Sequence, residues 1–213
     1  MDRIKKLCSY LDKCSTFADV GCDHGYCTLY MLKNGLCERA VISDISAKCL
    51  QKAETLLAGF IKNGVVASVC GNGLDGISEV VGQVLIAGMG GEEIVDILKN
   101  SFIPRSFVLQ PMKNVRAVRE YLLSNGAHIT LDEPFESRGK FYFVIKGSKC
   151  GVPTAYNGKQ LEFGLNLTGK ATEKYIQTEL FKKRAYLERD LKDETRRQIE
   201  NDICFMEGVI NEG

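Results

Sequence analysis

Four prolines in 213 residues leave few enforced breaks, and no run of about 18 uncharged apolar residues occurs that could cross a membrane. The opening segment, MDRIKKLCSYLDK, has no apolar centre of a secretion signal, so a cytoplasmic location is expected. Imidazole is scarce, being confined to His24 and His128, and none of the nine cysteines forms a Cys-x-x-Cys pair. Neither a zinc site nor a disulfide framework has the ligand spacing it needs, so no metal is expected and the cysteines read as buried thiols. Net charge is only +1, so any polyanion must be met by local basic patches rather than by the overall field. No internal repeat is evident.

What is present is a regular alternation. Apolar runs at 16–20, 39–44, 65–70, 83–87 and 106–110, bounded by Gly or Asp, have the character of buried strands. Helical patterns separate them. Ile4, Leu7, Cys8 and Leu11 mark a short amphipathic helix, and Ser46 is placed to cap a helix running to Asn63. A short helix is expected at 75–80, and longer ones at 92–100 and 115–126. Such alternation predicts an α/β fold, a mostly parallel sheet with helices on both faces. Two further strands, 127–135 and 140–147, are separated by only a short turn, which predicts an antiparallel pair at one sheet edge. Beyond a glycine-punctuated connector, residues 171–210 form a helical pattern rich in charge, suited to a hairpin arm or a coiled coil. The boundary between the two parts is placed at 150/151.

The stretch ADVGCDHGY (18–26) follows the first strand, where open α/β sheets bind their ligands. It lacks the middle and final glycines of the dinucleotide fingerprint and carries Asp19 and Asp23 instead. Carboxylates there repel a pyrophosphate, which disfavours a nicotinamide oxidoreductase. They attract a ligand with an ammonium and a sulfonium and no phosphate, which describes S-adenosylmethionine. Taken singly, the two aspartates also suit turn and cap positions. Asp44 ends the second strand and can accept both ribose hydroxyls. Asn72 and Gly73 follow the third strand, where they can meet an adenine edge. IAGMGGEE (86–93) closes the fourth strand with three glycines before a helix N-terminus. Four successive strand ends therefore carry residues shaped for one cofactor.

FADVGCDHGY, SDI (43–45), GNGLDG (71–76), IAGMGG and VLQPM (108–112) together resemble the bacterial tRNA (adenine-22-N1)-methyltransferases of the TrmK type. The resemblance covers residues 1 to about 147, and the helical tail in kind. It implies a class I, Rossmann-like methyltransferase domain with a seven-stranded sheet whose last strand is antiparallel, plus a C-terminal coiled-coil arm. It also implies methyl transfer from S-adenosylmethionine to N1 of adenine 22 of tRNA. Carried over, the cofactor loop is Asp19, Gly21, Asp23, His24 and Gly25. Asp44 and Ile45 would hold ribose and adenine, Asn72 and Gly73 the adenine, and Ala87, Gly88, Met89 and Gly90 the sulfonium side. Two positions depart from the family pattern: Cys22 replaces Ser or Thr, and Met112 replaces Asn after Gln-Pro. No Asn/Asp-Pro-Pro-aromatic tetrapeptide follows the fourth strand, which suits attack by a ring nitrogen rather than an amino group.

Asp23 and His24 are the candidate catalytic groups, and Gly90 the position where cofactor and target base would meet. Lys182, Arg189 and Arg196 recur every seven residues and would form a basic stripe on a helical arm, flanked by Tyr175 and Tyr186. With Lys5, Lys6 and Arg116 they are the candidate tRNA contacts; a monomer is expected. The alternatives are a methyltransferase with the same cofactor and another substrate, and a non-catalytic cofactor-binding protein of the same fold.

Overall fold

The computed structural model describes residues 3–211. In chain order the elements are α1 (Arg3–Cys8), β1 (Thr16–Val20), α2 (Tyr26–Lys33), β2 (Arg39–Asp44), α3 (Ala47–Leu56), α4 (Ala58–Lys62), β3 (Val66–Cys70) and β4 (Gln83–Met89). They continue with α5 (Gly91–Lys99), β5 (Phe107–Pro111), α6 (Val115–Ser124), β6 (His128–Ser137), β7 (Lys140–Ser148), α7 (Gly158–Phe163), α8 (Lys170–Leu187) and α9 (Asp193–Asn211).

One seven-stranded sheet has the order β3-β2-β1-β4-β5-β7-β6. The five strands from β1 to β5 pair parallel, and β7 inserts antiparallel between β5 and β6. The last strand in the chain is thus the reversed one, as the resemblance implies. Its hairpin partner β6 takes the edge. Apolar side chains pack against both faces of the sheet. Phe17, Ile42, Leu85 and Val108 belong to one core, and Val20, Ile86, Phe107 and Leu109 to the other. Strands covered on both faces are mostly apolar, which is why they read as near-continuous runs. β2 and β3 lie on one side of β1, and β4 and β5 on the other. The order therefore switches at β1/β4 and opens a crevice at their carboxyl ends.

Two local expectations are corrected. Ser46 does cap α3, its hydroxyl accepting from the Cys49 N–H at 3.3 Å. The helix nevertheless breaks at Leu57, which is buried in the core, and only a short helix containing Gly59 follows. Residues 75–80 form successive turns instead of a helix, because Gly76 takes φ +73° and Ile77 donates back to Leu74. The charged arm takes the hairpin form of the two expected, with α8 and α9 joined across 188–192. Ile176, Leu180 and Val209 form its core, with Lys183–Asp202 and Arg184–Glu207 ion pairs beside them. Among the described residues, no helix is long and apolar enough to cross a membrane.

Candidate active site

The chain leaves β1 through a left-handed turn at Gly21 (φ +70°), Asp23 (φ +44°) and Gly25 (φ +71°) before α2 begins. A Cβ on Gly21 would lie 2.1 Å from the Met89 methyl, so a glycine lets the β4 loop close over this turn. Gly25 serves packing instead, since a Cβ there would meet Ala53 and Leu57 of the neighbouring helical segment. Asp19, buried at the end of β1, accepts from the Thr28 hydroxyl at 2.8 Å and the Thr28 N–H at 3.3 Å. Burial raises its pKa to about 6. The Thr28 hydrogen bonds oppose this rise, and the Asp44 charge adds to it.

Asp23 stands at the rim, bonded by Lys52 at 3.0 Å and by His24 Nδ1 at 2.7 Å. Partial burial works against its ionisation, but the bonds from Lys52 and His24 outweigh it and hold the carboxyl below the usual range. Asp44 is fixed by backbone amides, Ser46 donating at 2.8 Å and Asp23 at 3.3 Å. Gly73 (φ +59°) presses against Ile97, and its carbonyl accepts from the buried Ser43 hydroxyl at 3.3 Å. At the end of β4 a bulge between Ala87 and Met89, with Gly88 at φ +81°, turns the strand over the crevice.

These strand ends line one cavity of about 430 Å3. Asp19, Gly21, Asp23, His24, Asp44, Ile45, Asn72, Gly73, Ala87, Gly88 and Met89 all face it. Gly25 and Gly90 lie beside it without lining it. A Cβ on Gly90 would point at the Lys113 side chain.

The sequence also left out one wall. Arg3, Ile4 and Leu7 of α1 line the cavity, and Glu93 and Ile97 of α5 close the opposite side. The Arg3 guanidinium donates to Gln110 Oε1 at 2.7 Å and stands 5.8 Å from the Tyr142 ring centre. The amphipathic pattern of α1 announced burial, but not against which surface. With carboxylates of Asp19, Asp23, Asp44 and Glu93 around it, the cavity suits a cationic, phosphate-free cofactor and repels a pyrophosphate. Its volume lies within the range of small-molecule sites. Among the described residues, no group of His, Cys, Asp and Glu is placed to hold a metal ion.

The basic residues lie elsewhere. Lys182 bonds Glu179 at 2.6 Å on α8. Arg189, beyond the end of α8, stacks its guanidinium 4.9 Å from the Tyr186 ring centre. Arg196, on α9, donates to the Arg189 carbonyl at 3.4 Å. A seven-residue spacing gives one stripe only on a continuous helix, so the helix break corrects the expected stripe. Tyr175 is packed edge-on against Phe141 and Phe143 rather than beside these cations. Arg116 pairs with Glu120 and Glu162, Lys5 is exposed, and Lys6 lies 5.0 Å from the Tyr10 ring centre.

Residues 1–145 match the family model described as a methyltransferase domain. The chain belongs to this methyltransferase family. A putative tRNA methyltransferase of Mycoplasma pneumoniae is 35% identical over 151 residues, covering 68% of each chain. The tRNA (adenine(22)-N(1))-methyltransferase of Bacillus subtilis is 26% identical over 168 residues, 76% of this chain and 71% of that one. M. capricolum TrmK, solved with the cofactor product S-adenosyl-homocysteine, superposes with a TM-score of 0.85 at 21% identity, covering 98% of this chain and 96% of that one. That structural likeness extends through the helical hairpin and shows a shared fold over nearly the whole chain.

Proposed function

We propose that this methyltransferase transfers a methyl group from S-adenosylmethionine to N1 of the adenine at position 22 of tRNA, acting as a cytoplasmic monomer. The observation that carries the reading is the cavity whose walls gather Asp19, Asp44, Asn72 and Met89 from four strand ends. The name of the Bacillus subtilis relative supports the choice of tRNA and of adenine N1. S-adenosylmethionine, when bound, supplies an electrophilic methyl group on a sulfonium.

The chain's own residues bind and orient. Asp44, its two oxygens already held by the Ser46 and Asp23 amides, keeps lone pairs for a pair of ribose hydroxyls. Ile45 offers an exposed apolar face, and Asn72 an amide, to either side of an adenine. Asp19 supplies buried negative charge for the cationic end. Adenine N1 is nucleophilic at neutral pH, so alignment matters more than a strong base. The target base must leave its stack to reach the cavity. Asp23, kept ionised by Lys52 and oriented by His24, is the carboxylate at the mouth that can face a newly cationic base. Lys5, Lys6, Arg116, Lys182, Arg189 and Arg196 stay as candidate tRNA contacts, now spread over separate elements.

Incubation with labelled cofactor and tRNA, followed by nucleoside analysis, should yield 1-methyladenosine, and replacing adenine 22 by guanine should abolish it. Label appearing at another nucleoside, or none in tRNA, overturns the reading.

Asp44→Ala should weaken S-adenosylhomocysteine binding by about 1.5–3 kcal/mol, the cost of removing a charged hydrogen-bond acceptor. Calorimetric titration checks it, and unchanged affinity in a folded variant removes Asp44 from the site.

Asp19 sets a pH dependence with two opposite signs. Its folded pKa of about 6 exceeds the unfolded value of 3.8, so its contribution to folding stability is full below that value and is lost as pH rises through 6. Affinity for a cationic cofactor moves the other way, falling as pH drops below 6 and Asp19 becomes neutral. Titration of S-adenosylmethionine from pH 5 to 8 should show this fall, and Asp19→Asn should flatten it. A slope that survives in Asp19→Asn assigns the dependence to another group.

A further inference from the structure

Two thiols that methyl transfer does not use meet beside the cofactor cavity. Cys8 ends α1, Cys27 lies in the first turn of α2, and their sulfurs stand 3.8 Å apart. Both side chains are buried, yet Cys27 lines the cavity, so a small solute that enters there reaches the pair. Hydrogen bonding to Cys27 pulls the Cys8 thiol below its usual range, against burial and the Asp19 charge. Cys27 is pushed up by the same bond and by burial, so it keeps its proton. Cys8 is then the nucleophile of the pair. Cys22 also lines the cavity, but burial and the carboxylates of Asp19 and Asp44 push its thiol up. α1 is more than a neighbour, because its Arg3, Ile4 and Leu7 form one wall of the cavity. A dithiol thus spans the joint that sets the position of that wall.

We propose that Cys8 and Cys27 form an oxidation site for hydroperoxides, and that their disulfide draws α1 onto α2 and lowers cofactor affinity. The Cys8 thiolate attacks one peroxide oxygen and breaks the O–O bond, leaving a sulfenic acid on Cys8 and releasing hydroxide. The Cys27 sulfur then attacks the Cys8 sulfur and the S–O bond breaks. The Cys27 proton leaves with that oxygen as water, and the disulfide remains. The two sulfurs lose two electrons, and the peroxide takes them up. An S–S bond is about 2 Å long, so the sulfurs must close by about 1.8 Å from their 3.8 Å separation. Cys8 follows Leu7 directly, so the pull moves Leu7 and, one turn earlier, Ile4 from their places in the wall. A cofactor fitted to the open wall then binds less well. In a reducing compartment the pair stays open and closes only under oxidant. By linkage, bound cofactor opposes the disulfide by the same factor.

Brief treatment of the reduced protein with hydrogen peroxide should give a Cys8–Cys27 disulfide before any other, identified by differential alkylation and fragment mass spectrometry. The Kd for S-adenosylhomocysteine should then rise at least about tenfold and return with dithiothreitol. Saturating S-adenosylhomocysteine should raise the reduction potential of the pair by at least about 30 mV, the same tenfold for a two-electron couple. That shift reads the linkage in the wild type, without any substitution. Cys8→Ala should bind S-adenosylhomocysteine as the reduced wild type does, and peroxide should leave its affinity unchanged. Both readouts, thiol state and cofactor affinity, are independent of the nucleic-acid substrate. A first disulfide between other cysteines overturns the proposal, as does a Cys8–Cys27 pair that resists peroxide. So does a Cys8–Cys27 disulfide that leaves the Kd unchanged, or a peroxide effect on binding that persists in Cys8→Ala.

Discussion

Arg119→Ala should lower the stability of the fold by about 3–5 kcal/mol, the cost of stripping one partner from a buried ion pair. The Arg119 and Asp132 side chains are 1% and 0% exposed. Two parallel bonds of 2.7 and 2.8 Å join them. The remaining guanidinium nitrogen donates to the carbonyls of Leu161 (3.0 Å) and Glu162 (2.8 Å) in α7, and the guanidinium carbon lies 4.7 Å from the Phe143 ring centre. Tyr156 adds a hydroxyl bond to Asp132 at 3.1 Å. One side chain from α6 thus ties the sheet to the segment that leads into the helical hairpin. Removing it leaves Asp132 charged and short of donors, and frees the backbone of α7. The melting temperature should fall by about 6–20 °C for a chain of this size, and limited proteolysis should cut first between 149 and 169. Arg119→Met with Asp132→Leu should recover most of the loss, because an apolar pair of similar volume carries no desolvation cost. A single variant within 1 kcal/mol of the wild type would mean the pair contributes little.

Neither Arg119 nor Asp132 announces this role in the sequence, since an arginine on an amphipathic helix reads as a solvated charge. What was legible obeyed local rules. The inner strands β1, β4 and β5 are apolar at nearly every position because both their faces are covered, so a run of Val, Leu and Ile marks them. The residues that line the cavity from the strand ends were legible because they sit at the end where this fold opens. Asp19, Gly21, Asp44 and Gly73 could thus be placed without knowing the tertiary contacts. Long-range docking was not legible. Arg3 meets Gln110 across 107 positions, and the periodicity of α1 does not encode that partner. The break after Leu187 was hidden as well, since no glycine or proline marks it and the heptad of Lys182, Arg189 and Arg196 runs on through the turn. Nor does a glycine-rich junction say in which direction each missing side chain would point.

That last gap sets a sharp contrast between adjacent residues. Gly91→Ala should reduce methyl transfer at least about 100-fold, whereas Gly90→Ala should stay within about threefold of the wild type. A Cβ on Gly91 would lie 2.2 Å from the Asn114 carbonyl oxygen and 2.8 Å from that of Lys113, both backbone atoms that cannot rotate away. Gly91 also donates to the Lys113 carbonyl at 2.9 Å, and Met112 to the Met89 carbonyl at 2.8 Å, so the β4 and β5 loops are laced together. Separating them by an ångström drags Met89, a wall of the cavity, out of register. A misplacement of that size costs about 100-fold in rate, and the forced contact about 1–3 kcal/mol in stability. Gly90 sits at φ −67° and ψ 153°, open to any residue, and its nearest neighbour is the flexible Lys113 Cε at 3.1 Å. Single-turnover methylation and thermal melting of the two variants decide the matter. The reverse ranking, with Gly90→Ala inactive and Gly91→Ala silent, would show that the target base passes over Gly90 and that this junction is held by something other than the Lys113–Asn114 backbone.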